Sequence, residues 1–280
     1  MAREQFVVEH GGATLVGDRW RAADAPGQPT AVFLHAGVCD RRSWHGVCEL
    51  LHQDAVAYDR RDYGESTTGS QPFTHLDDLL AVLDRQVGAP AWLVGNSMGG
   101  GLALDAATAR PSAVAGLVLI APAVSGGPWI DSDDVDPDTR RIEAGIEAAE
   151  ASGDREAVNR LEIRLWLDGP GAPEGRVGGA ARQLALDMNA GALASDLPEG
   201  AGESGVSAWG GLGEITAPIT VAWGDLDLPA IVEHCRALLE RVPRAARHVF
   251  AGMAHLPSLE SPEAVADLVR GAVTSGDPAT

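Results

Sequence analysis

Gly95-Asn96-Ser97-Met98-Gly99 decides the reading of this chain. It follows a short apolar run, Ala91-Trp92-Leu93-Val94, and precedes Gly100-Gly101-Leu102-Ala103-Leu104-Asp105-Ala106-Ala107, which reads as a helix. A serine between two glycines at a strand-to-helix junction is a nucleophile elbow. The turn is sharp and strained, so little but glycine fits around it. It lifts the hydroxyl clear of the sheet and aims the helix N-terminus at a developing oxyanion.

Working outward, Gln5–His10 and Ala13–Arg19 alternate and are joined by Gly11-Gly12, a hairpin signal. Thr30–His35, Asp54–Tyr58, Ala91–Gly95 and Val114–Ile120 read as strands. Ser43–Leu51, with Ser43 as N-cap, Phe73–Val87 and Ser97–Arg110 read as helices. This alternation predicts a mostly parallel, doubly wound α/β sheet. The rhythm breaks over 126–207, where no strand is evident and helices are expected at Asp138–Ser152, Asp154–Leu167 and Gly175–Ala194. It resumes with strands at Ile219–Trp223 and Ala246–Phe250, and helices at Pro229–Val242 and Pro262–Val273. The expected organisation is a core of residues 1–125 and 208–280 with a helical cap of residues 126–207.

A serine hydroxyl is a poor nucleophile at neutral pH and needs a base, which in turn needs an orienting group. On this fold the acid and then the histidine should follow the serine. The strand Ile219–Trp223 runs into Gly224-Asp225-Leu226-Asp227, so two carboxylates compete for the acid's place. The loop Ala251-Gly252-Met253-Ala254-His255 after the last strand supplies the histidine. The oxyanion donors are expected to be the backbone N–H of Met98 and that of Val38, in the loop His35-Ala36-Gly37-Val38-Cys39-Asp40. His35 is read as bracing this loop and His248 as a strand residue; Cys39 is a possible lining residue.

These segments, together with Asp59-Arg60-Arg61-Asp62-Tyr63-Gly64-Glu65-Ser66, resemble the α/β-hydrolase superfamily over nearly the whole chain. Within it the resemblance runs to small esterases, enol-lactonases and carbon–carbon hydrolases with a helical cap. The resemblance implies that the acid is the last Asp of the Gly-(Asp/Glu)-x-Asp pattern, Asp227, with Asp225 in reserve. Two departures stand out: Ala36 where many relatives carry Gly, and Asp62 in place of the Gly usual in that loop.

The implied function is a serine hydrolase of carboxylic esters or lactones, with Ser97 as nucleophile, His255 as base and Asp227 as orienter. Its rate should fall toward acid pH as His255 is protonated. Trp129, Trp166 and Trp209, in or beside the cap, are candidates to line an apolar substrate pocket. One alternative is hydrolysis of a carbon–carbon bond in a vinylogous diketone, for which the oxyanion loop is poor in glycine; perhydrolysis is another. Dehalogenase and epoxide hydrolase chemistry are disfavoured, because relatives of that kind use an Asp nucleophile. A ligand-binding protein on a hydrolase scaffold is the alternative of another class.

Composition narrows the partners. All 21 Lys and Arg residues are Arg, and the net charge is −19. That balance argues against nucleic acid and anionic membranes. No apolar run approaches the ~18 residues of a membrane span, and the N-terminus lacks a signal-peptide segment. Cys39, Cys48 and Cys235 match no zinc or redox motif. The expectation is a cytoplasmic monomer or homodimer acting on a small molecule, with no metal and no cofactor. The acidic run Asp131, Asp133, Asp134, Asp136 and Asp138 lacks EF-hand spacing and reads as an exposed loop.

Overall fold

The computed structural model describes residues 1–22, 28–128, 136–195, 197 and 201–276. Trp129 and the acids Asp131, Asp133 and Asp134 lie outside the described residues. Eight strands form one sheet: β1 (Ala2–His10), β2 (Ala13–Arg21), β3 (Ala31–Leu34), β4 (Ala55–Tyr58), β5 (Ala91–Asn96), β6 (Val114–Ile120), β7 (Ile219–Gly224) and β8 (Ala246–Phe250). Their order is β1-β2-β4-β3-β5-β6-β7-β8. The hairpin β1–β2 and the β2–β4 pair are antiparallel, and every other pairing is parallel.

The helices are α1 (His45–Leu50), α2 (His75–Val82), α3 (Met98–Ala109), α4 (Pro137–Ser152), α5 (Arg155–Ile163), α6 (Gly179–Ala192), α7 (Ala208–Gly211), α8 (Pro229–Arg241), α9 (Pro257–Glu260) and α10 (Pro262–Ser275). Helix α2 is shorter than Phe73–Val87: Thr74 caps it, and after Val82 it widens into a π-turn that ends at Gly88. The expected N-cap Ser43 is corrected to Asp40. The Asp40 carboxylate takes the N–H of Arg42, and a 3-10 turn over Arg41–Trp44 precedes α1. Asp reaches back to the helix N-terminus from an extended backbone, whereas Ser43 is already inside the turn.

The strand alternation sorts the core into two faces. Val32, Leu34 and Leu93 pack with Leu79 of α2, Leu104 of α3 and Leu238 of α8. Ala31, Phe33, Trp92 and Val94 pack with Val47 of α1 and with Val265 and Val269 of α10. Both faces of the central strands are therefore covered, as a parallel sheet requires. Each such aliphatic side chain contributes about 1.5–3 kcal/mol of burial.

Helices α4, α5 and α6 lie between β6 and β7, where helices without strands were expected. They meet the sheet's loops in a third cluster: Ile163, Leu167, Ala185 and Met188 pack against Ala36, Cys39 and Leu256. Cys39 is thus a packed apolar residue, and burial pushes its thiol pKa up. Among the described residues no helix is long and apolar enough to cross a membrane. No group of three or more His, Cys, Asp or Glu among them is placed to hold a metal ion.

Candidate active site

Strands β3 and β5 to β8 run parallel, so the segments after them meet at one edge of the sheet. Ser97 follows β5 with φ 55° and ψ −119°, a positive φ on a non-glycine residue. Such a backbone costs on the order of 1–3 kcal/mol and persists only where its surroundings over-determine it. Here the Ser97 N–H donates to Ile120 O at 2.9 Å. The Ser97 carbonyl accepts from Gly100, Gly101 and Ala123. A Cβ on Gly95 would stand 2.2 Å from Gly99 O, and one on Gly99 would stand 2.1 Å from Leu34 O. The two glycines are required by this close approach of backbone to backbone.

Helix α3 starts at Met98, so its first N–H groups lack intrahelical partners. Gly100 and Gly101 turn theirs back to Ser97. Among the described residues the N–H of Met98 has no acceptor, and neither has that of Val38. The Val38 loop is braced from below. Arg60 Nη1 donates to His35 O at 2.9 Å, and His35 Nε2 accepts the Arg60 N–H at 3.1 Å. His35 Nδ1 pairs with Ala36 O at 2.8 Å. Burial first, then the Arg60 guanidinium, hold His35 well below ordinary histidine basicity, so it braces as a neutral ring.

His255 Nδ1 pairs with Asp227 Oδ2 at 2.8 Å, both side chains buried. Asp227 Oδ1 takes the Leu228 N–H at 2.8 Å. Asp225 turns the other way: its exposed carboxylate accepts the Gly252 N–H at 2.6 Å and ties the β7 turn to the loop that carries His255. The two competing carboxylates therefore have separate jobs. The side chain of Ser97 makes no hydrogen bond among the described residues, so the serine and the Asp227–His255 pair are not joined in this structure.

Trp166 comes to the same place. Its ring lies 4.6 Å from that of His255, tilted by 45°. Trp209 does not: it packs against the core with His234 and Arg241 on its faces. The aromatic residues alone carried no sign of which would face the site.

Two bracing residues were not anticipated. Arg176 donates to Leu167 O, Asp168 O and Gly252 O at 2.8–2.9 Å, and to Glu260 Oε2 at 2.6 Å. Glu260 in turn accepts the Ala254 N–H at 2.7 Å. This clamp joins the segment after α5 to the loop around His255. A lone Arg in a Gly- and Pro-rich stretch gives no sequence signal for it. Asp62, the departure from Gly, keeps φ 64° and accepts a hydrogen bond from Ser195, just beyond α6, at 2.8 Å.

An elbow serine at the carboxyl edge of a doubly wound sheet, with a His–Asp pair after later strands, defines an α/β hydrolase. Residues 31–268 match the sequence profile of the Alpha/beta hydrolase family, and the chain belongs to that family. The lipase LipV of Mycobacterium tuberculosis is 37% identical over 105 residues, 36% of this chain and 40% of the lipase. This chain therefore matches well under half of that protein's length. Among solved structures, a thermophilic esterase from Thermogutta terrifontis superposes with a TM-score of 0.72 at 22% identity, over 99% of each chain. The haloalkane dehalogenase DbeA of Bradyrhizobium elkani gives 0.72 at 20% identity, over 100% of each. At such identities the structures share the fold.

Proposed function

We propose that this protein is a serine hydrolase that cleaves carboxylic esters or lactones through an acyl-enzyme. The observation that carries the reading is the buried 2.8 Å Asp227–His255 pair at the sheet edge where the strained Ser97 emerges. His255 takes the Ser97 proton as the serine oxygen attacks the carbonyl carbon. Asp227 holds the imidazole in the tautomer that presents Nε2 and stabilises the imidazolium that forms. The unpartnered N–H groups of Val38 and Met98 receive the oxyanion, each donor being worth ~3 kcal/mol of barrier. His255 then protonates the leaving alkoxide, and later activates the water that releases the acid.

Helices α4 to α6 act as a cap in this reading. Trp166 covers the His255 ring, and Arg176 links the cap to the loop beneath. LipV is named a lipase and the Thermogutta protein an esterase, which supports ester chemistry. Ser at position 97 favours that chemistry over dehalogenation. A fluorophosphonate probe tests it: mass spectrometry should find one adduct on the Ser97 peptide and none in Ser97→Ala. An unlabelled wild type would contradict the reading.

A further inference from the structure

Of the four methionines, Met98 stands at the elbow. It is 45% exposed and, with Gly101 and Leu102 of α3, lines a cavity of about 620 Å³. Its sulfur lies against the oxyanion loop: a Cβ on Gly37 would stand 2.8 Å from Met98 Sδ and 3.8 Å from Cγ. Gly37 precedes Val38, so the thioether of one donor residue rests on the neighbour of the other.

The other oxidisable sulfurs are shielded or remote. Met188 is 2% exposed, in the cluster it shares with Ala36 and Leu256. Met253 is partly buried and packs on the Trp92 side of the sheet. Met1 is exposed, but it precedes the edge strand β1, and β2, β4 and β3 separate that strand from β5. Cys39, Cys48 and Cys235 are buried, and burial pushes all three thiol pKa values up, away from the reactive thiolate. A small oxidant arriving from solvent therefore meets Met98 before any other sulfur near the site.

We propose that Met98 is an oxidation site that switches the hydrolase off, with hydrogen peroxide as the two-electron oxidant. The Sδ lone pair attacks one peroxide oxygen and the O–O bond breaks. The sulfur gives up two electrons and keeps that oxygen as a sulfoxide. The other oxygen leaves as hydroxide and takes the transferred hydroxyl's proton to become water. The apolar side chain thereby gains a polar, chiral S=O group. The sulfur already fills the space over Gly37. A sulfoxide there either displaces the oxyanion loop or offers its oxygen to the Val38 and Met98 N–H groups in the oxyanion's place. Both weaken transition-state binding, for which one lost donor costs about 10²- to 10³-fold in kcat. The inference rests on the serine-hydrolase reading.

The test treats wild type and Met98→Leu with hydrogen peroxide, removes it, and then follows 4-nitrophenyl butyrate hydrolysis and maps sulfoxides by peptide mass spectrometry. In wild type the Met98 peptide should be oxidised ahead of those of Met188 and Met253. Its kcat and kcat/KM should fall together by about tenfold or more, the signature of an interaction made in the transition state. Methionine sulfoxide reductase with a thiol reductant should restore the rate. Met98→Leu, measured against its own untreated rate, should keep that rate. Sulfoxide at Met98 with an unchanged rate would overturn the switch and leave the hydrolase reading standing, as would equal losses in wild type and Met98→Leu. A Met98 peptide that stays unoxidised while Met188 or Met253 reacts would overturn the site itself. If untreated wild type turns over no ester, the hydrolase reading fails and the switch with it.

Discussion

The Trp166 ring rests 4.6 Å from the His255 ring, and the Trp166 carbonyl accepts the His255 backbone N–H at 3.1 Å. One residue of the inserted helical region thus fixes both the backbone and the imidazole of the proposed base. Trp166→Ala should lower kcat/KM for small esters by about 10- to 100-fold, the range for a misplaced catalytic group. Trp166→Phe should recover most of it. Equal activity of the alanine variant and wild type would show that the contact is passive.

Asp227→Asn should preserve the hydrogen bond's geometry but favour the wrong imidazole tautomer, dropping kcat by about 10⁴-fold. Asp225→Asn keeps an acceptor for the Gly252 N–H and should cost less than about tenfold by the same comparison. Steady-state kinetics of the pair would separate them, and a larger loss in Asp225→Asn would reverse the assignment.

Arg176→Ala removes the clamp on the His255 loop and leaves the buried Glu260 carboxylate without its cation. Burial already raises the Glu260 pKa against the pull of Arg176 and the Ala254 N–H. Breaking a buried pair by removing one partner costs about 3–5 kcal/mol. Arg176 is partly exposed, so the low end of that range is expected in urea unfolding, with a fall in kcat. A stability change under about 0.5 kcal/mol, the surface-substitution range, would refute the clamp.

Stability should depend on pH through two neutral histidines, the buried His35 and the half-buried His75. Both are depressed when folded, His75 to about 3, while an unfolded histidine titrates near ~6.5. Between those values the unfolded chain binds more protons. Their contribution is complete above ~6.5 and is lost as pH falls toward 3, at up to ~1.4 kcal/mol per unit for each. His75→Phe should flatten this slope in denaturant titrations at pH 4 to 7; an unchanged slope would contradict it.

How much of this was legible in the sequence depended on how local each cause is. The elbow and the order of its partners could be read because strand, turn and helix are contiguous. Asp225 and Asp227 could not be separated from residues alone, since they sit two apart on one turn; the direction of each carboxylate is set by Gly252 and His255, far along the chain. Asp62 was visible as a departure, but its bond to Ser195 depends on a residue just beyond α6. Trp166 and Trp209 looked alike because neither helix patterning nor composition tells which side of an insertion meets the sheet edge. Arg60 and Arg61 are adjacent and chemically identical, yet among the described residues only Arg61 pairs with a carboxylate.

The most direct measurement is steady-state hydrolysis of 4-nitrophenyl esters from acetate to octanoate by wild type and Ser97→Ala. The account predicts turnover by wild type, with a chain-length optimum, and loss of about 10⁶-fold in kcat in the variant. Folded wild type that turns over none of them, or a Ser97→Ala variant as active as wild type, would contradict it.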